Sequence, residues 1–107
     1  MEQSELQNIF KAISDENRLK IIELLSNGET CACKLIELLD ISQPNLSHHM
    51  GILQRSGLVT GRKDGQWVHY SLNIETLKSA GAYIDTIIEK VNESNNYKTK
   101  CDSRSSI

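Results

Sequence analysis

Two cysteines one residue apart, Cys31 and Cys33, are the most reactive pair in the chain. Around them, between residues 30 and 72, lie all three histidines (His48, His49 and His69) with Ser47, Arg62 and Lys63. Thiolates at this spacing suit a soft ion or a redox exchange; the plainer alternative is that Cys31 is a small buried hydrophobe and Cys33 its incidental neighbour beside Ile36. If both sit on one regular helix, Cys31 lies four residues before Leu35 and points to the core, with Cys33 about 200° around the axis. The side chains then diverge, and a disulfide between them is not expected. With Cys101 the cysteines number three, too few and odd for a secreted disulfide scaffold, so the pair reads as thiol chemistry in a reducing compartment. The Ser, His and Cys residues form no nucleophile–base–orienter set and there is no glycine-rich phosphate loop, so the chain does not read as an enzyme.

The elements that must position these groups follow from periodicity. Leu6, Ile9, Phe10 and Ile13 mark a first helix stopping near Ser14, and Ser14 or Asp15 caps a second whose inward stripe is Leu19, Ile22 and Leu25, ended by Asn27-Gly28. Thr30 is read as the cap of a third helix, Cys31 to Asp40, with Leu35, Leu38 and Leu39 inward. Ser42 caps a fourth helix with Pro44 in its first turn, where a missing N–H costs nothing. Leu46, His49, Met50 and Leu53 form the inner stripe of that helix, leaving Pro44, Asn45, Ser47, His48, Gly51 and Arg55 outside. From Leu58 the period changes to two, and Asp64-Gly65 between β-rich runs marks a hairpin. A last helix runs from about Ile74 to Asn92. The polar, aperiodic stretch 94–107 reads as a disordered tail, which leaves 1–93 as the one folded domain.

Composition sets the limits. A chain of 107 residues builds one compact domain, and with only five aromatic residues (one Trp, one Phe, three Tyr) its core must be aliphatic. Net charge is −2, so only a local distribution could favour nucleic acid, and residues 30–72 are the mildly basic part. No apolar run reaches the ~18 residues of a membrane span, and the opening Met1-Glu2-Gln3-Ser4-Glu5 has neither a basic n-region nor an apolar stretch, so a cytoplasmic location and no membrane partner are expected.

Two helices joined by a tight turn and followed at once by a hairpin give a mainly α fold with a β-hairpin wing, the winged helix-turn-helix. Asn45, Ser47 and His48 on the fourth helix would face base edges and phosphates of double-stranded DNA, with Arg62 and Lys63 on the hairpin reaching the flanking backbone. Leu77, Ile84 and Val91, filled in by Ile88, form a narrow seam on the last helix. Pairing that helix with Leu6 and Phe10 of the first across a two-fold axis would make a homodimer.

Thr30-Cys31-Ala32-Cys33-Lys34-Leu35, Ser42-Gln43-Pro44-Asn45-Leu46-Ser47-His48-His49-Met50, Gly57-Leu58-Val59 and Arg62-Lys63-Asp64-Gly65-Gln66-Trp67-Val68-His69-Tyr70 together resemble, in order and spacing, the arsenical-resistance repressor (ArsR/SmtB) family. The resemblance spans residues 5 to about 90. It implies a winged-helix homodimer that represses a resistance operon and leaves DNA when an ion binds. Cys31 and Cys33 would then be the thiolate ligands for an As(III) or Sb(III) inducer, with no constitutive cofactor. Gln43, Ser47, His48, Arg62 and Lys63 would face DNA. A third cysteine three residues after the second is frequent in such sensors, and Ile36 stands there, so the third ligand is either Cys101 or a thiol from solvent. The cysteines near the N-terminus of cadmium and lead sensors are absent. Asp85, Glu89 and Glu93 on the last helix lack the histidines of zinc and cobalt sensors. On a regular third helix, gripping one ion requires its first turn to unwind or tilt, a strain passed through Asp40-Ile41-Ser42 to the fourth helix. The alternatives are sensing of another soft metal or of oxidants by the same thiols, or a winged helix used for protein contact.

Overall fold

Five helices and a three-stranded antiparallel sheet alternate in the computed structural model, which describes residues 2–97. They are α1 (Gln3–Ile13), α2 (Glu16–Leu25), β1 (Thr30–Cys31), α3 (Ala32–Leu39), α4 (Gln43–Arg55), β2 (Val59–Asp64), β3 (Trp67–Leu72) and α5 (Ile74–Tyr97). The mainly α winged helix-turn-helix read from the sequence is the observed architecture.

Local chemistry sets the boundaries. Asp15 caps α2 by accepting from the N–H groups of Asn17 and Arg18 at 3.0 and 3.1 Å, and the Ser42 Oγ accepts from Asn45 N–H at 3.2 Å to start α4. Helix α3 ends on Asp40 in the left-handed region, φ 54°, a conformation that Asp tolerates better than branched residues do. The hairpin pairs Asp64 with Trp67, so its two-residue loop is Gly65-Gln66, with Gly65 at φ 69°, one position later than the Asp64-Gly65 turn expected.

The core is aliphatic as composition requires: Ile9, Ile21, Leu35, Met50, Leu53 and Leu58 are almost wholly buried, and Tyr70 is its one aromatic member. Leu19 and Leu38, expected inside, are about half exposed. Helix α2 turns Ile21 and Leu25 inward instead, and α3 buries Ala32 and Leu35. Both sequences are apolar on more than one side, so the pattern alone did not single out the packed face. Gly61 lets the wing seat on α4, because a Cβ there would meet Gln54 Nε2 and Val68 Cγ1 at 3.1 Å and Tyr70 Cε1 at 3.2 Å.

Two expectations about the termini of elements change. Helix α5 continues to Tyr97, so residues 94–97 are helix where a disordered tail was read; the remaining residues of that tail, Cys101 among them, lie outside the described residues. The strand β1 was not foreseen, and it takes Cys31 out of the third helix.

Candidate functional site

The outer face of α4 has the expected composition. Gln43, Asn45, Ser47 and His48 are exposed, while Leu46, His49, Met50 and Leu53 are buried against the core. His49 also fixes the helix in place. Its Nδ1 lies 3.1 Å from Arg18 Nη1, and since a guanidinium can only donate, Nδ1 is the acceptor and the ring is neutral in this arrangement. Burial holds the His49 pKa below its ordinary value of 6.5, offset in part by Asp15 and reinforced by Arg18. Asp15 Oδ2, 3.8 Å from the same nitrogen, is the partner a protonated ring would take. Arg18 Nε donates to the Ala12 carbonyl at 2.7 Å. One guanidinium thereby ties α1, α2 and α4 together behind the exposed face of α4.

The thiol segment departs from its sequence reading. Cys31 is extended, φ −68° and ψ 142°, and serves as the N-cap of α3, its Sγ accepting from Cys33 N–H at 3.2 Å. The premise of two cysteines diverging on one helix therefore fails. With their Cα atoms 5.2 Å apart, the sulfurs of Cys31 and Cys33 are in bonding contact as a disulfide, the pairing judged unexpected from helical geometry. Cys31 is half-buried and Cys33 exposed. No first turn has to unwind for the sulfurs to meet, because the strand residue already lies outside the helix. Among the described residues no group of three or more His, Cys, Asp or Glu side chains converges as a metal site.

The sheet order β1-β3-β2 joins this segment to the wing. Cys31 pairs with His69 and His69 with Arg62, so the three form one row across the strands, and directly opposed residues project from the same face. Arg62 is exposed but not free: Nη2 and Nε donate to the two carboxylate oxygens of Glu29 at 2.8 and 3.2 Å. The Ser71 hydroxyl donates to Glu29 at 3.4 Å, and Asp64 Oδ2 lies 3.8 Å from Arg62 Nη1 and 4.0 Å from His69 Nε2. The Arg62 hydrogen bond, more than any other influence, holds the Glu29 carboxyl below its ordinary range. Lys63 is exposed and makes no ion pair among the described residues. Glu29, Ser71, Asp64 and His69 are the site residues that sequence reasoning missed. Thr30, β-branched and following the Asn27-Gly28 stop, was the available signal, yet a two-residue strand is too short to show a period.

The dimerisation candidates divide. Leu6 is buried and Leu77 half-buried within the protomer. Phe10, Ile84, Ile88 and Val91 are exposed, as are Tyr83 and Ile87, and the rings of Phe10 and Tyr83 meet at a tilt of 52° with centroids 6.3 Å apart. No helix among the described residues is long and apolar enough to cross a membrane.

Residues 15–60, from the cap of α2 into β2, match the family described as bacterial regulatory protein, arsR family. Over 101 residues the chain is 46% identical to the arsenical resistance operon repressor of Staphylococcus aureus, covering 94% of this chain and 90% of that one. The chain belongs to the ArsR family. The arsenical resistance operon repressor of Staphylococcus xylosus is 48% identical over 87 residues, covering 81% of this ArsR-family chain and 84% of its relative. An ArsR-like transcriptional regulator from Rhodococcus sp. RHA1 superposes with a TM-score of 0.76 at 26% identity, over 88% and 89% of the two chains. The protein is thus an ArsR-type transcriptional repressor and not an enzyme.

Proposed function

We propose that this repressor binds operator DNA as a homodimer and releases it when As(III) or Sb(III) is held by Cys31 and Cys33. The observation that carries the reading is the convergence of the two sulfurs on the N-cap of α3, hydrogen-bonded through β1 to the wing. Reduced, the pair offers two soft donors and no hard one, the set that selects thiophilic ions. At a helix N-terminus the amide N–H groups and the positive end of the dipole favour negative charge on sulfur. Since no histidine or carboxylate completes a three-donor group with the pair among the described residues, the third donor is a thiol from solvent or Cys101, and we favour solvent. The exposed apolar stripe of Phe10, Ile84, Ile88 and Val91 supports the dimer, since an unpaired face of this kind is uncommon on a monomer. Gln43, Asn45, Ser47 and His48 read the major groove, with Arg62 and Lys63 on the backbone.

The test uses a duplex that the protein selects from a random-sequence pool, titrated with and without arsenite. Cys31→Ser and Cys33→Ser should each bind that duplex like the wild type and lose arsenite-driven release, and Cys101→Ser should keep it. Arsenite-driven release from a protein lacking both Cys31 and Cys33 would refute the mechanism. A protein-contact module would select no duplex at all.

The bonding contact of the two sulfurs favours one further reading, oxidant sensing. One equivalent of peroxide takes two thiols to a disulfide and two waters, which removes both ligands. Peroxide-treated protein should then ignore arsenite until a dithiol reductant is added.

A further inference from the structure

The same fork that would grip a DNA phosphate is closed on a carboxylate. Arg62 gives Nη2 and Nε to Glu29, and its remaining nitrogen, Nη1, faces Asp64. Because β3 lies between β1 and β2, the guanidinium must reach back across the sheet to meet Glu29, away from the wing's free edge. Carboxylate and phosphate compete for one planar fork, so Arg62 cannot present it to both.

Glu29 stands two residues before Cys31, and the row Cys31–His69–Arg62 runs through the ladder between them. The backbone at Cys31 is thus continuous, over two residues, with the one whose carboxylate holds Arg62. The pair is half-exposed on both sides, 57% and 39%, and ion pairs this open form and break readily.

We infer that Glu29 is a positioning residue of the switch: by drawing the Arg62 guanidinium toward the segment that leads into the thiol-bearing strand, it withdraws a backbone contact from DNA and ties operator affinity to the state of Cys31 and Cys33. The link to the thiols rests on the proposed inducer reading; the withdrawal of Arg62 does not. An ion at the thiols favours the closed pair and DNA favours the open one, the differential affinity that coupling between two sites requires.

The experiment is a double-mutant cycle on the full chain, measured by fluorescence anisotropy with the selected duplex across a salt series and with no ion added. Glu29→Gln should tighten binding about three- to tenfold and steepen the log affinity against log salt slope by about one unit, the mark of one more phosphate contact. In an Arg62→Gln background the same change should add nothing, because Glu29 acts through Arg62. Glu29→Asp should restore wild-type behaviour, and Glu37→Gln, removing the same charge from an exposed position on α3, should leave the slope unchanged. With arsenite, the ratio of affinities without and with the ion should shrink at least about threefold in Glu29→Gln. Weaker binding by Glu29→Gln, or an equal gain in the Arg62→Gln background, overturns the inference. If Cys31→Ser abolishes arsenite-driven release while the cycle shows no coupling, the inducer reading stands and this one falls. An intact cycle in a wild-type protein indifferent to arsenite overturns the inducer and leaves the withdrawal of Arg62 supported.

Discussion

Helices α4 and α5 carry comparable apolar stripes and end in different situations. Leu46, His49, Met50 and Leu53 of α4 are all buried within the protomer. In α5 burial stops at Ala80, and every residue from Gly81 to Asn95 is exposed, including Tyr83, Ile84, Ile87, Ile88 and Val91. An amphipathic pattern therefore specifies that a face must be covered and leaves open by which molecule. Helix α4 is covered by its own chain, whereas the second half of α5 has no cover within the protomer.

The sharpest way to break this contrast is to damage each stripe in turn. Leu53→Ala should cost about 2–5 kcal/mol of unfolding free energy in denaturant titrations, since a wholly buried leucine leaves a cavity. Ile84→Lys should leave the protomer's circular dichroism unchanged, yet give monomers in sedimentation and weaken binding to the selected duplex by about tenfold or more through the lost second half-site. A dimeric protein with this change would place the interface elsewhere.

A second effect on DNA binding sharpens the other side of α4. Ser47→Ala and His48→Ala, both on the exposed face, should each weaken the selected duplex by about 1–3 kcal/mol and change binding to random duplex far less. Unchanged anisotropy curves for both would remove the recognition role from this face.

The smallest expected effect is a pH slope. Burial holds the His49 pKa below 6.5, so the folded state binds fewer protons than the unfolded one as pH falls below that value, and stability falls with it. The loss grows from pH 6.5 down to the folded-state pKa and then levels off. In urea midpoints collected across this window, His49→Gln should flatten the slope, whatever it does to stability at neutral pH.

Much of this was legible in the residues. Ser42 and Pro44 announce α4, Gly57 ends it, the alternation from Leu58 announces the wing, and a 3.6-residue period separates Leu46, His49, Met50 and Leu53 from the polar outer face. What was not legible is what depends on distant pairing. Apart from the β-branched Thr30, little near Thr30-Cys31 shows that the segment is a strand, because its partner, His69-Tyr70, lies far along the chain; assigning Cys31 to a helix then turned the two thiols apart. Glu29 was invisible as the partner of Arg62 for the same reason. Leu19 and Leu38 were misplaced because helices apolar on several sides do not declare which is covered.

The two-residue ladder at β1 has a consequence for the order of folding. Thr30 meets Tyr70 only after the intervening chain, which contains α3, α4 and β2, has closed on itself, and a loop of that length carries a closure entropy that two strand pairs repay slowly. The helices and the hairpin are local and form first; β1 docks onto a wing already in place and is among the earliest parts to open in native fluctuations. Cys31 and Glu29 thus belong to a weakly protected unit of the domain, where a ligand worth only a modest binding free energy can redistribute populations without unfolding the rest.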